Sequence, residues 1–270
     1  MSIATEITRL QNAKADLKTS INAKTDSSHQ ITNELLDDYA SFVDSIQTGG
    51  GEISKGIMIL DYDETTGMPI KYKLIDTQFE SGLFNADGSN STKISSFLKY
   101  MEELVIVPSN QTITTIPEYC FFKCNNFKTV NLPNTVTTIK TKAFYLCSNL
   151  EIDITDLPLT SIGLNNTGYG GTGETFRSCS KLQCSNLPSN LVINGNYNFY
   201  NCSSITITSI PDACTYIPEG TFYGCSSIPK MTFPNVTLIY NQAFYQNTSI
   251  KYAYLPKIVT INSQVFYQCT

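Results

Sequence analysis

Between residues 121 and 269 seven phenylalanines recur at a near-regular spacing, each followed three positions later by a cysteine or an asparagine. The pairs are Phe121/Cys124, Phe144/Cys147, Phe176/Cys179, Phe199/Cys202, Phe222/Cys225, Phe244/Asn247 and Phe266/Cys269. Successive phenylalanines are 23, 32, 23, 23, 22 and 22 residues apart. Three positions after each of the first six Cys or Asn residues stands an apolar residue (Phe127, Leu150, Leu182, Ile205, Ile228, Ile250), and a proline follows it (Pro133, Pro158, Pro188, Pro211, Pro234, Pro256). Ile116, Ile139, Ile217, Ile239 and Ile261 precede their phenylalanines by five residues, and Ile193 precedes Phe199 by six. A unit of roughly 22 residues cannot bury its own apolar side, but a stack of such units can. The period therefore predicts a solenoid in which each recurring position stacks on itself, coil over coil.

Thr129–Leu132 and Thr135–Ile139 are short β-branched runs, the pattern of one-coil strands about 4.8 Å from the next coil. The proline between them sits at a corner, where a missing N–H costs little. Leu132-Pro133 through Ile139, then Ala143-Phe144 to Cys147-Ser148 and Leu150, resemble the BspA-type leucine-rich repeat family almost position by position. The resemblance extends over residues 104–270 and implies a leucine-rich repeat solenoid of about seven coils. Coil 3 departs from it through nine extra residues, Asn165–Gly173, and coil 6 through Asn247 in the cysteine position.

The chain before the repeats divides into a helical module (1–47), a Gly-rich linker (48–55) and a cap (56–103). Ile3, Ile7, Leu10, Leu17 and Ile21 keep a heptad seam interrupted by Lys14. Leu35, Leu36, Tyr39, Phe42, Val43 and Ile46 mark a second amphipathic helix, so an N-terminal α-helical hairpin is expected. Such a hairpin is too small to stand alone and must dock on copies of itself, with a homotrimer as the guess, or on a partner. Ile57–Tyr62 and Ile70–Ile75 flank a Gly-containing turn, the pattern of a β-hairpin able to cap the first coil. Ser96–Glu103 reads as one or two helical turns.

Few side chains suggest chemistry. His29, the one histidine, falls in the inter-helix turn, remote from any nucleophile. The cysteine column lacks the Cys-x-x-Cys spacing of a metal site and reads as a ladder of small buried thiols without inter-coil disulfides. Cys120, Cys184 and Cys214 lie off the column and read only as packing. Gly168–Gly173 satisfies G-x-G-x-x-G but falls inside a coil, not between a strand and a helix. Asp61, Asp63 and Glu64 lack the register of a calcium loop and suit a hairpin tip. No enzyme, cofactor or metal is therefore expected. A net charge of −5 argues against nucleic acid, and no run reaches the ~20 apolar residues of a membrane helix. The N-terminus lacks a signal-peptide pattern, so synthesis in the cytoplasm is expected.

The position after each phenylalanine holds Phe122, Tyr145, Arg177, Tyr200, Tyr223, Tyr245 and Tyr267. If the phenylalanines point inward, these form a partly exposed aromatic stripe. It could bind a host-surface glycan or protein, or simply stabilise the corner by stacking. Ser2–Ile21 with Leu36–Ile46 resembles the N-terminal module of tailed-bacteriophage virion proteins. That implies a tail, baseplate or fibre component, attached to other virion proteins through residues 1–47 and displaying the repeats. The alternatives are a cell-surface BspA-like adhesin and a purely structural virion scaffold. The sequence stops inside the repeat motif, which predicts either a further coil or a partner over Phe266 and Tyr267.

Overall fold

The computed structural model describes residues 52–53, 57–65, 69–74, 100–106, 113–164 and 171–269. Strands β1 (Glu52–Ile53), β2 (Ile57–Tyr62) and β3 (Pro69–Leu74) pair antiparallel in order. β3 then pairs in parallel with β4 (Glu103–Ile106), and β4 with β6 (Thr129–Val130). The hairpin thus continues the sheet of the first coil, so the backbone groups of that edge are paired rather than left open. Glu103 is strand, not helix as the sequence suggested: its neighbour Glu102 donates its N–H to the Ile70 carbonyl at 2.8 Å, and the parallel ladder wins over local helix propensity. Asp63 accepts the Thr65 N–H at 3.0 Å, the local turn bond that suits an aspartate at a hairpin tip. The expected helical hairpin falls on residues 1–47, and His29 with it; both lie outside the described residues.

The repeats form a parallel-strand solenoid. The seven phenylalanines bound about six complete turns. One strand column is β5 (Thr115–Ile116), β7 (Thr138–Lys140), β8 (Ser161–Leu164) and β9 (Val192–Ile193), all parallel. It resumes as β10 (Tyr216–Ile217), β12 (Leu238–Ile239) and β14 (Thr260–Ile261). A second column carries β11 (Lys230–Thr232) on β13 (Tyr252–Tyr254), with single bridges from Asp153 to Gln183 and from Ser209 to Thr232. The corner between columns turns at proline, as where the Val136 N–H donates to the Pro133 carbonyl at 3.1 Å.

Along a third side the described residues form no strand beyond a single bridge from Thr172 to Asn196, yet the coils are hydrogen-bonded. The N–H groups of Tyr197, Phe199 and Asn201 donate to the carbonyls of Glu219, Thr221 and Tyr223 in the next coil, at 2.9, 2.9 and 2.7 Å. The same triple bond recurs from Gly220, Phe222 and Gly224 to Asn241, Ala243 and Tyr245. This geometry needs positive φ two residues before and two residues after each phenylalanine, as at Tyr197 (60°) and Asn201 (56°) around Phe199. Most coils accept the strain at ordinary residues; the coil of Phe222 uses Gly220 and Gly224 instead. A Cβ at Gly220 would stand 2.3 Å from the Tyr197 ring, so glycine there also makes room for a neighbour.

Inside, the phenylalanines form a continuous stack. Centroids of Phe121, Phe144, Phe176, Phe199, Phe222, Phe244 and Phe266 follow at 4.9, 5.4, 5.6, 5.4, 5.2 and 5.5 Å. Eight of the nine cysteines are buried, and all nine are free thiols. The column does more than fill space. Sγ of Cys147, Cys179, Cys202 and Cys225 each lies 3.0 Å from the carbonyl oxygen of the phenylalanine one coil back and donates to it. Each of these carbonyls already accepts the N–H of the cysteine three residues on, at 3.0–3.2 Å, so the thiol from the next coil fills the second lone pair. Off the column, Cys184 and Cys214 donate to the Asn186 and Leu191 carbonyls, both at 3.2 Å.

Asn247 takes the same role with a stronger donor: its Nδ2 reaches the Phe222 carbonyl at 2.7 Å. Its Oδ1, however, is buried with no hydrogen-bond partner. A buried orphan acceptor costs about 1–3 kcal/mol. Asn247→Cys is expected to raise stability by roughly 1–2 kcal/mol, since the thiol keeps a donor and removes the orphan. An upward shift of the urea midpoint at constant slope checks this. A lower midpoint would contradict it.

Candidate functional site

The same inter-coil bonds that stack the phenylalanines also align their neighbours on the outside. Phe122 is buried, Tyr145, Arg177, Tyr200, Tyr223 and Tyr245 are half-buried, and Tyr267 is 51% exposed. Ring centroids lie 4.9 Å apart for Phe122 and Tyr145, 4.4 Å for Tyr200 and Tyr223, 4.7 Å for Tyr223 and Tyr245, and 5.2 Å for Tyr245 and Tyr267. All seven residues singled out in the sequence therefore share one ribbon along the solenoid. The ribbon differs from the expected stripe in one respect. Rings at these separations cover each other's faces, so only their edges and hydroxyls meet solvent. Burial first, and then the neighbouring Tyr200 hydroxyl, hold the Tyr223 phenol above its ordinary value.

Arg177 is not a gap in this stack. Its guanidinium carbon lies 4.5 Å from the Tyr200 ring centre and 5.9 Å from that of Tyr145, so a planar cation occupies the place of a ring. Glu174, 7% exposed, supports it: Arg177 Nη1 is 2.6 Å and Lys142 Nζ 3.1 Å from its two carboxylate oxygens. Lys142 also lies over the rings of Tyr119 at 5.5 Å and Tyr145 at 6.0 Å. One coil on, the Tyr197 hydroxyl donates to Glu219 Oε1 at 2.5 Å. Desolvation first, then that carboxylate, push the Tyr197 phenol up to about 12.

Sequence reasoning did not find the columns that flank the tyrosines. Tyr119, Lys142, Glu174 and Tyr197 stand two residues before their phenylalanines; Lys123, Leu146, Ser178 and Asn201 stand two after. Their side chains flank the ribbon because the backbone there is left-handed. The signal was the pair Gly220 and Gly224, placed symmetrically about Phe222.

The insertion of coil 3 has firmly held stems. Gly173 and Glu174 both donate to the Asn196 carbonyl, at 3.0 and 2.9 Å, and Asn196 donates to Gly171 at 3.1 Å. Asn198, fully buried, fills the space between them. Its Oδ1 accepts from the Thr175 hydroxyl at 2.8 Å, and its Nδ2 donates to the Asn194 and Gly195 carbonyls at 2.7 and 2.9 Å. A Cβ on Gly163 or Gly173 would each stand 2.5 Å from Asn198 Oδ1, so the glycines here serve close packing. Strand β8 precedes the insertion, and turns, not a helix, follow Gly173, so the G-x-G-x-x-G spacing lacks the context of a dinucleotide site. Residues 165–170 of it lie outside the described residues, as do the helix positions Ile3, Ile7, Leu10, Leu17 and Ile21.

No curated protein matches this sequence. Among solved structures, a leucine-rich repeat protein from Bacteroides ovatus superposes with a TM-score of 0.52 at 22% identity. The match covers 63% of this chain and 42% of that one, so this chain spans well under half of the relative's length. The T. pallidum leucine rich repeat protein gives 0.44 at 19% identity, covering 69% of this chain and 75% of that one. A leucine rich cell surface protein from Faecalibacterium prausnitzii gives 0.26 at 17%, covering 63% and 65%. The first of these likenesses supports the solenoid fold. The pattern described as BspA type Leucine rich repeat region matches residues 92–167 and 157–270, in six copies, and the chain therefore belongs to the BspA-type leucine-rich repeat family.

Proposed function

We propose that the chain is a non-enzymatic recognition protein of the cell-surface adhesin type, which binds a protein partner through the tyrosine ribbon. The observation that carries this reading is the ribbon itself: phenol edges and hydroxyls locked at coil spacing, bordered by Ser178, Asn201, Gly224 and Gln246. Tyrosine with small polar neighbours is the chemistry of binding surfaces that present rigid amphipathic area at low entropic cost. Stacking favours a protein over a sugar as partner. A sugar ring packs on an aromatic face, and within the ribbon both faces of Tyr223 are taken by Tyr200 and Tyr245.

A second reading puts the same ribbon on a bacteriophage particle. It is carried by the resemblance of residues 2–46 to virion modules, a segment that the family match, beginning at residue 92, does not reach. Attachment or oligomerisation through residues 1–47 belongs to either reading. The recognition surface is common to both, so one experiment addresses it. A displayed random-peptide library and a glycan array are probed with the chain and with the Tyr200→Ser/Tyr223→Ser variant. Peptides that bind the parent chain and lose affinity at least tenfold on the variant, with the variant's melt unchanged, are expected. Binding confined to glycans, or peptides indifferent to the variant, would overturn the reading.

A further inference from the structure

We propose that Lys142 and Arg177 form an anion subsite in the ribbon that fixes an Asp or Glu side chain of an acidic peptide partner; this rests on the peptide-binding reading above. Six residues build the subsite: Tyr119, Lys142, Tyr145, Arg177, Tyr197 and Tyr200. Both cations lean on one carboxylate. Glu174 takes Arg177 on one oxygen at 2.6 Å and Lys142 on the other at 3.1 Å, and among the described residues neither cation has a second ion pair. The side chain of Glu174 is 9% exposed, while those of Lys142 and Arg177 are 21% and 31% exposed. The Glu174 charge is therefore inside and the two positive charges face out, one more than Glu174 balances.

Glu219, alongside, keeps its charge; it accepts from the Tyr197 hydroxyl at 2.5 Å and, among the described residues, makes no ion pair with Lys142 or Arg177. Arg177 is held over Tyr200, its guanidinium carbon 4.5 Å from the ring centre, and is tied to Glu174, so it is presented with little rotamer freedom left to lose. A carboxylate arriving at the guanidinium edge meets a fixed fork of donors with a lysine ammonium beside it, both held by Glu174. That combination gives short charge-assisted bonds in a partly dry site. A bare structural role accounts less well for the arrangement. Every later coil stacks a tyrosine at this position, at Tyr200, Tyr223, Tyr245 and Tyr267, with no carboxylate needed beneath it. Among the described residues, only the coil of Phe176 pairs a cation in the stack with a buried acid. An acidic peptide is favoured over an acidic glycan because the rings beside the cations are covered on the faces a sugar would use.

The test is an array in which each ribbon-binding peptide appears twice, with Glu or with Gln at its acidic positions, beside an oligogalacturonate. The variant Arg177→Tyr restores the ring that other coils carry and leaves Glu174 its bond to Lys142, so the fold is retained; its melting temperature verifies this. The parent chain is expected to bind Glu members roughly tenfold tighter than Gln members, a preference that high salt and Arg177→Tyr both remove. Lys142→Gln is expected to reduce it in part. Equal binding of Glu and Gln members by the parent chain overturns the subsite, and so does a Glu preference that survives Arg177→Tyr. Binding of oligogalacturonate alone overturns it in favour of an acidic glycan. If Glu and Gln members bind alike but are still lost on the Tyr200→Ser/Tyr223→Ser variant, the ribbon reading stands without the subsite. Loss of all peptide signal removes both.

Discussion

Raising the pH above about 9 is expected to destabilise the solenoid steeply, because burial holds its thiols above their ordinary ionisation range. Burial pushes Cys184 up to about 12 and Cys214 up to about 11. Burial likewise holds Cys120, Cys147, Cys179, Cys202 and Cys225 well above the ordinary thiol value of 9.0. The unfolded chain releases these protons near pH 9 and the folded chain does not. Above that pH the unfolded state therefore binds fewer protons, and stability falls as pH rises. Each such thiol contributes a slope of about 1.4 kcal/mol per pH unit once it is ionised in the unfolded chain. With seven of them the slope tends toward ~10 kcal/mol per unit, against a typical total stability of 5–15 kcal/mol. Below the ordinary value these thiols are protonated in both states and contribute no slope. Urea midpoints followed from neutral pH upward check the account. A flat profile to pH ~11 would show that the thiols are solvated.

Phe222→Ala is expected to cost about 3–5 kcal/mol, enough to unfold a marginal array at 37 °C. Phe222 is fully buried and stacks on Phe199 at 5.4 Å and Phe244 at 5.2 Å. Truncation opens a cavity bounded by two flat rings whose coils are tied by backbone bonds, so collapse cannot refill it. Phe222→Leu keeps most of the volume and should lose only roughly 1–2 kcal/mol, chiefly the stacking and shape term. In a repeat array each coil depends on its neighbours. The alanine variant is therefore expected to broaden the transition as well as lower its midpoint, a change visible in the urea slope. Equal effects of Ala and Leu would indicate that the stack is not close-packed.

The solenoid was legible in the sequence because its cause is periodic. Phe199 and Phe222 stack for the same reason that 23 residues separate them, and the inward phenylalanine fixes the outward tyrosine beside it. What escaped was non-periodic or rested on backbone geometry. The left-handed positions at Tyr197 and Asn201 carry no residue signature, because most coils simply bear the strain. The thiol column was legible as small and buried, but not as a row of donors to the phenylalanine carbonyls, since the partner lies a whole turn away in sequence. Glu103 was misjudged because a strand formed by pairing with Lys71 and Thr129 leaves no local trace. Glu174 was missed because it works only with Lys142, from one coil back, and Arg177. Asn247 was recognised as a departure, and the structure supplies its polar partner in Phe222.

The central claim is that the tyrosine ribbon is the surface that recognises a partner, and that it does so without rearranging. Nuclear magnetic resonance of the chain labelled only at tyrosine, titrated with a peptide selected for binding, tests both parts at once. The predicted result is a set of shifted ring signals from Tyr145, Tyr200, Tyr223 and Tyr245, with Tyr252 and Tyr254 on β13 unmoved and the ring stacking retained. Shifts confined to Tyr252 and Tyr254, or a titration that leaves the ribbon tyrosines unchanged, would contradict it.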